Sequence, residues 1–102
     1  MVALNRAVGG VSVGGTSGNG LGGGVYNGQA VNPAFGTTAL SLNDSVVAFN
    51  QAEGGAATAG STAGAGVGGG VYVALGIAFA FRTSVFANDA STSDDDVFGV
   101  LV

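Results

Sequence analysis

The sequence has no cysteine and no histidine, and it has a single proline. Without cysteine there can be no disulfide framework, no thiolate zinc site and no cysteine nucleophile. Without histidine, the most common general base and metal ligand in proteins is missing. These absences exclude most enzyme classes, so we predict a protein that is not an enzyme and that needs no cofactor or metal.

Charge is also scarce. Charged residues make up 8% of the 102 residues, against about 25% in typical soluble domains. The only basic residues are Arg6 and Arg82, and the net charge is −4, so neutralisation of a phosphate backbone and binding of nucleic acid are not expected. A mean hydropathy of +0.53 argues against a disordered tail. The single proline and the lack of a three-residue glycine period exclude collagen.

Two short motifs repeat along this glycine-rich chain, which has 21 glycines. The first, which we call the glycine box, is Gly-Gly-Gly-Val-Tyr at 22–26 and again at 68–72. The second, the asparagine box, is Val-x-x-Asn-x-Ala and occurs around Asn5, Asn50 and Asn88. The two boxes alternate in constant order, whereas the connections between them vary, with an insertion around residues 27–38. Short constant motifs joined by variable loops are typical of a repeat protein.

Within the repeats, large apolar residues recur with a period of two. From Val71 to Phe81 the odd positions are large and apolar, while most even positions are small. This pattern predicts strands whose odd positions face a core. The same reasoning predicts two inward positions before each asparagine; the pairs are Val2 and Leu4, Val47 and Phe49, and Val85 and Ala87. A third repeated pattern, two large apolar residues separated by a small one, aligns residues 40–42 with residues 79–81.

Such short strands can bury their apolar faces only by stacking on equivalent strands of neighbouring repeats. We therefore predict an all-β fold, a parallel β-solenoid of about two to three coils. It would form one segment over residues 1–102, with repeat units at about 2–46, 47–84 and an incomplete 85–102. The repeat predicts structural roles: stacked side-chain amides in the asparagine boxes and unusual backbone conformations in the glycine boxes. These residues are Asn5, Asn50, Asn88, Gly22, Gly23, Gly24, Gly68, Gly69 and Gly70.

The alternation of glycine boxes with asparagine boxes resembles the polymorphic outer-membrane proteins and related autotransporter passengers, which are right-handed parallel β-helix surface proteins. The resemblance covers Val2 to about Ala90. It implies a right-handed helix and a location outside the cell or on the outer-membrane surface, as part of a longer exported chain. It also implies a structural or adhesive role, with a host-surface or polysaccharide ligand. The apolar residues 97–102 read as a further strand, whose open edge would favour self-association.

Three other functions are alternatives to a structural or adhesive role. A self-assembling extracellular fibre subunit would use the open ends of the solenoid as its working surfaces. A polysaccharide-degrading β-helix enzyme would need carboxylates with a basic residue, and the only candidate group is Asn43-Asp44 facing Arg82-Thr83. A small membrane protein could use the uncharged residues 63–81 as a span, but six glycines disfavour a helix there.

Two motifs suggest ligand binding but have simpler structural interpretations. Gly-x-Gly-x-x-Gly occurs at 18–23 and 64–69, yet a strand-like segment follows each copy where a dinucleotide site needs a helix. We interpret both as turns. The carboxylates of Asp94, Asp95 and Asp96 could bind calcium, but the segment lacks the pattern of a calcium loop, and we predict a solvated turn.

Overall fold

The computed structural model describes residues 1–28, 39–74 and 77–102 of the chain. Within these residues the protein is all-β and contains no helix, which confirms the all-β part of the predicted fold. The fifteen strands are only two to five residues long, and turns or short loops separate them. In chain order they are β1 (Val2–Ala3), β2 (Arg6–Val8), β3 (Gly15–Thr16), β4 (Gly20–Leu21), β5 (Val25–Asn27), β6 (Ala39–Asn43), β7 (Val46–Ala48), β8 (Gln51–Glu53), β9 (Ser61–Thr62), β10 (Gly66–Val67), β11 (Val71–Val73), β12 (Ile77–Phe81), β13 (Ser84–Phe86), β14 (Asp89–Ala90) and β15 (Val97–Phe98).

The described strands form six small sheets in which every pairing is parallel. Three sheets have three strands, β1–β7–β13, β2–β8–β14 and β5–β11–β15, and three have two, β3–β9, β4–β10 and β6–β12. In each three-stranded sheet, the strand of the middle repeat lies between the other two. Parallel neighbours need a long connection between them, and here each connection is the remainder of one repeat.

The strand register aligns the repeated motifs with one another. Val47 pairs with Val2 on one side and with Val85 on the other, so the three asparagine boxes lie side by side. Val71 likewise pairs with Val25, which aligns the two glycine boxes, and with Val97 on its other side. Each box therefore occupies the same position in its own repeat.

Apolar side chains of the middle repeat form the centre of the core. Val47 and Val71 are fully buried because the middle strand of each sheet is covered on both sides. Complete burial of one such side chain is worth about 1.5–3 kcal/mol. The buried cluster consists of Leu42, Val47, Val71, Val73 and Ala78, with Val2, Val25, Leu40, Val85, Val97 and Leu101 packed against it.

The prediction that the odd-numbered residues from Val71 to Phe81 face the core is correct in β11 and wrong in β12. In β12 the large residues face solvent, and Phe79 is 48% exposed, whereas Ala78 is 1% exposed and belongs to the core. The strand ends at Val73 and a new strand begins at Ile77, so the alternation does not continue unchanged through the connection. Leu75, predicted to face inward, lies outside the described residues, as does most of the insertion at 27–38.

The predicted alignment of 40–42 with 79–81 is wrong by one residue. Leu40 pairs with Ala78 and Leu42 pairs with Ala80. A shift of one residue exchanges the two faces of a strand. The observed register therefore places leucine beside alanine on the inner face, and it leaves the phenylalanines outside beside smaller residues.

The prediction of two inward residues before each asparagine holds only for the first residue of each pair. Leu4 and Phe49 are exposed, and Ala87 is exposed as well. All three have positive φ, at 59°, 58° and 53°. This left-handed conformation turns the chain between two sheets, and the side chain at the corner therefore points away from the core.

Candidate functional site

The three repeated asparagines form a hydrogen-bonded ladder at the corner between the sheets β1–β7–β13 and β2–β8–β14. Asn5 Nδ2 donates to Asn50 Oδ1 at 3.0 Å, and Asn50 Nδ2 donates to Asn88 Oδ1 at 2.9 Å. The same two oxygens also accept from the backbone N–H groups of Asn5 and Asn50. At each step of the ladder, one side-chain oxygen therefore accepts hydrogen bonds from both the side-chain amide and the backbone N–H of the preceding asparagine.

The ladder amides also bond in the opposite direction along the stack. Asn50 Nδ2 donates to the Val2 carbonyl oxygen at 3.0 Å, and Asn88 Nδ2 donates to that of Val47 at 3.0 Å. Asn50 is 1% exposed, and in such a buried place an unpaired amide would cost about 1–3 kcal/mol. The asparagine side chain is suited to this corner because it can donate and accept at once.

The glycine boxes lie directly against the ladder. A Cβ atom on Gly24 would lie 2.8 Å from Asn50 Nδ2, and a Cβ on Gly70 would lie 2.7 Å from Asn88 Nδ2. The ladder asparagine of each following repeat thus occupies the space that a side chain at the third box position would need. The first box position favours glycine for a different reason. Gly22 and Gly68 have φ of 66° and 67°, a left-handed conformation that glycine adopts without steric strain.

The middle glycines of the boxes have no room for a side chain either. A Cβ on Gly23 would lie 2.3 Å from the Gly69 carbonyl oxygen, and a Cβ on Gly69 would lie 2.4 Å from that of Asp89. Both approaches are to backbone, which cannot move aside as a flexible side chain can. The second and third glycines of each box therefore lie against the ladder asparagines or the residues that follow them.

Asp96 belongs to this site, although the sequence predicts it only as part of a solvated turn. Its Oδ1 accepts from Asn88 Nδ2 at 2.9 Å and from the Asn88 backbone N–H at 3.1 Å. The neighbouring Asp95 Oδ1 accepts from the Ala90 N–H at 3.0 Å. A sequence signal existed, because Asp96-Val97-Phe98 repeats the spacing of Gly70-Val71-Tyr72 with aspartate in place of glycine.

All three carboxylates of the acidic turn accept hydrogen bonds. Asp94 bonds to the hydroxyl of Ser93 and has φ of 58°, the conformation of Gly68, while the other two carboxylates accept backbone or ladder hydrogen bonds. Among the described residues, no three side chains of the metal-ligating types converge.

The acid and the arginine that an enzyme would have to use form an exposed ion pair. Arg82 Nη1 lies 3.6 Å from Asp44 Oδ1, with the two side chains 71% and 67% exposed. Phe81 pairs with Asn43, so Arg82 aligns with Asp44 and not with Asn43 as the sequence alignment had it. Arg82 also lies 5.1 Å from the centre of the Phe81 ring. No cavity is present in residues 1–28, 39–74 and 77–102.

Aromatic rings stack along the outside of the repeats. The rings of Tyr26 and Tyr72 are 5.3 Å apart and nearly parallel, and those of Tyr72 and Phe98 are 4.5 Å apart. At the corner beside the ladder, Phe49 and Phe86 meet edge to face at 6.0 Å. These cross-strand contacts add to the backbone pairing between repeats.

Both copies of Gly-x-Gly-x-x-Gly continue into strands. Gly20 pairs with Gly66 in the sheet β4–β10, and the strands β5 and β11 follow. The described part of 63–81 consists of strands and short connections. In the part of the chain that the structure describes, no helix has the length and apolar character to span a membrane.

No protein-family model, no curated protein and no solved structure matches this chain. The resemblance to surface proteins with a right-handed parallel β-helix therefore stays a prediction from the sequence motifs.

Proposed function

We propose that this chain is a right-handed parallel β-solenoid segment of two to three coils, spanning residues 1–102. The observation that supports it best is the register, because strands of successive repeats pair in parallel with the asparagine boxes aligned. The asparagine ladder and the stacked rings both connect equivalent positions of the three repeats. The right hand of the solenoid is taken from the family resemblance.

We further propose a structural and adhesive role at the surface of a bacterial cell or in a secreted protein, without catalysis. The exposed position of Asp44 and Arg82 supports a non-catalytic role, since catalysis of this type needs groups that are enclosed around a bound substrate. The outer face of β12 supports adhesion, because Ile77, Phe79 and Phe81 expose apolar surface there. Contiguous exposed apolar residues mark interaction sites. The ligand would be a host-surface molecule or a polysaccharide.

Location is tested with an antibody against residues 53–66, applied to cells that express the chain. We expect the antibody to label intact cells or the secreted fraction. Labelling that appears only after lysis would contradict a surface location.

Adhesion is tested by the binding of the purified chain to a polysaccharide panel and to immobilised host cells. The variant Phe79→Ser/Phe81→Ser changes the outer face of β12, and Val11→Ser/Val13→Ser changes exposed apolar residues elsewhere. We expect the first variant to lose binding and the second to retain it. Depolymerisation of any member of the panel, if abolished by Arg82→Ala, would show an enzyme instead.

Self-association through exposed strand edges is the remaining part of the proposal. The edge strands of the first repeat, such as β1 and β5, and those of the third, such as β13 and β15, have a partner on one side only. Unpaired strand edges favour pairing with another chain.

A further inference from the structure

The two ends of the repeat stack are different. At the first-repeat end the ladder begins with Asn5, which has a ladder neighbour on one side only. At the third-repeat end the ladder continues beyond Asn88 to the carboxylate of Asp96. This difference depends on the strand register and the hydrogen bonds alone, and it does not depend on the surface role proposed above.

Asp96 Oδ1 receives the hydrogen bonds that a fourth ladder asparagine would receive. Asn50 Oδ1 accepts from the backbone N–H and the Nδ2 of Asn5, and Asn88 Oδ1 accepts from the same two groups of Asn50. Asp96 Oδ1 accepts from the same two groups of Asn88, at 3.1 and 2.9 Å. The carboxylate thus stands where the side-chain oxygen of the next repeat would stand.

The backbone position of Asp96 explains how one residue can do this. Val97 pairs with Val71, and Val71 pairs with Val25, so Asp96 occupies the position of Gly70 and Gly24 in its own repeat. At Gly24 and Gly70 the ladder asparagine of the following repeat fills the space of a side chain, within 2.8 Å of a Cβ. A side chain at this position is therefore compatible only with the last repeat of a stack.

We propose that Asp96 closes the third-repeat end of the stack against any further repeat, including the first repeat of a second copy of this chain. Head-to-tail stacking would bring the partner copy's first asparagine into the space that the Asp96 side chain fills. Heterologous association that does not close into a ring gives filaments, and an open edge at both ends would permit it. Asp96 leaves only the first-repeat end available, so association stops at two copies.

The test compares three variants of the whole chain by size exclusion with light scattering and by electron microscopy. Asp96→Gly places glycine at the third box position, as at Gly24 and Gly70, and empties the space for an incoming asparagine. Asp96→Ala removes the same carboxylate but keeps the Cβ. Asp94→Gly makes the same change in charge and residue type at a position that does not touch the ladder.

We expect the unsubstituted chain, Asp96→Ala and Asp94→Gly to give no species larger than a dimer of the 9.6 kDa chain. Asp96→Gly is expected to form filaments whose mass rises with concentration, to roughly threefold the chain mass or more. Equal assembly of Asp96→Gly and Asp96→Ala would overturn the proposal, because loss of charge would then be sufficient. Folded Asp96→Gly that stays small would also overturn it, as would filaments of the unsubstituted chain.

Two further measurements cover the possibility that Asp96→Gly is too unstable to fold. Asp96→Asn keeps the oxygen that accepts from Asn88 and keeps the volume of the side chain, so it should fold and form nothing larger than a dimer. Filaments of Asp96→Asn would refute the steric argument without any use of the glycine variant. Where Asp96→Gly does assemble, added unsubstituted chain should shorten the filaments in proportion to its amount, because it can join a filament but offers a closed end.

Discussion

Replacement of Asn50 by alanine tests the ladder at its most buried rung. The Asn50 side chain takes part in four hydrogen bonds: its Oδ1 accepts two from Asn5, and its Nδ2 donates to Val2 and to Asn88. At a net value of about 1 kcal/mol for each bond, we expect a loss of about 4 kcal/mol in the free energy of unfolding. A domain of this length has about 5–15 kcal/mol in total, so the variant should lose roughly a quarter or more of its free energy of unfolding.

The matched control is Asn5→Ala, which makes the same substitution at the exposed end of the ladder. Its side chain contributes a single hydrogen bond to the ladder, from Nδ2 to Asn50 Oδ1, so a loss of about 1 kcal/mol is expected. Urea unfolding followed by far-UV circular dichroism gives both free energies, and equal m-values show that the unfolding transitions are comparable. If the two variants differ by less than about 1 kcal/mol, the ladder does not hold the repeats together as we argue.

Two further predictions concern the glycine boxes and the faces of the strands. Gly69→Ala should destabilise the chain by about 2–4 kcal/mol through overpacking against backbone, with thermal unfolding as the measurement, because the new Cβ would lie 2.4 Å from the Asp89 carbonyl oxygen. Gly10→Ala is its control, since nothing lies within 4 Å there; equal melting temperatures would show that the close approach is not limiting. Phe79→Ala should cost less than about 1 kcal/mol in urea unfolding, whereas Val71→Ala should cost about 2 kcal/mol despite its smaller loss of volume. The reverse order would mean that Phe79 belongs to the core.

The sequence predicted those features that depend on local chemistry. Asparagine can donate and accept at one corner, and a recurring Val-x-x-Asn-x-Ala therefore indicated equivalent corners; in the structure hydrogen bonds join Asn5, Asn50 and Asn88. The glycine boxes likewise indicated unusual backbone, and Gly22 and Gly68 have positive φ. The all-β fold class followed from the period of two and from the lack of a helical pattern.

The outer face of β12 and the turned-out corner residues could not be read from the sequence. A period of two shows which residues share a face within one strand, but it does not carry across a connection, and β12 starts anew at Ile77 after Val73. Similarly, Phe49 follows the alternation of β7 in sequence, yet its left-handed conformation turns its ring outward.

The all-β class and the position of each corner motif can be predicted from the sequence, because both follow from backbone preferences and side-chain chemistry within a few residues. Which apolar residues are buried depends on the whole fold, because burial requires cover from neighbouring strands: Val71 is fully buried, and its strand β11 lies between β5 and β15. The tertiary structure also decided the role of Asp96. Its carboxylate meets Asn88 because Val97 pairs with Val71, and that pairing brings together residues that the chain alone does not make neighbours.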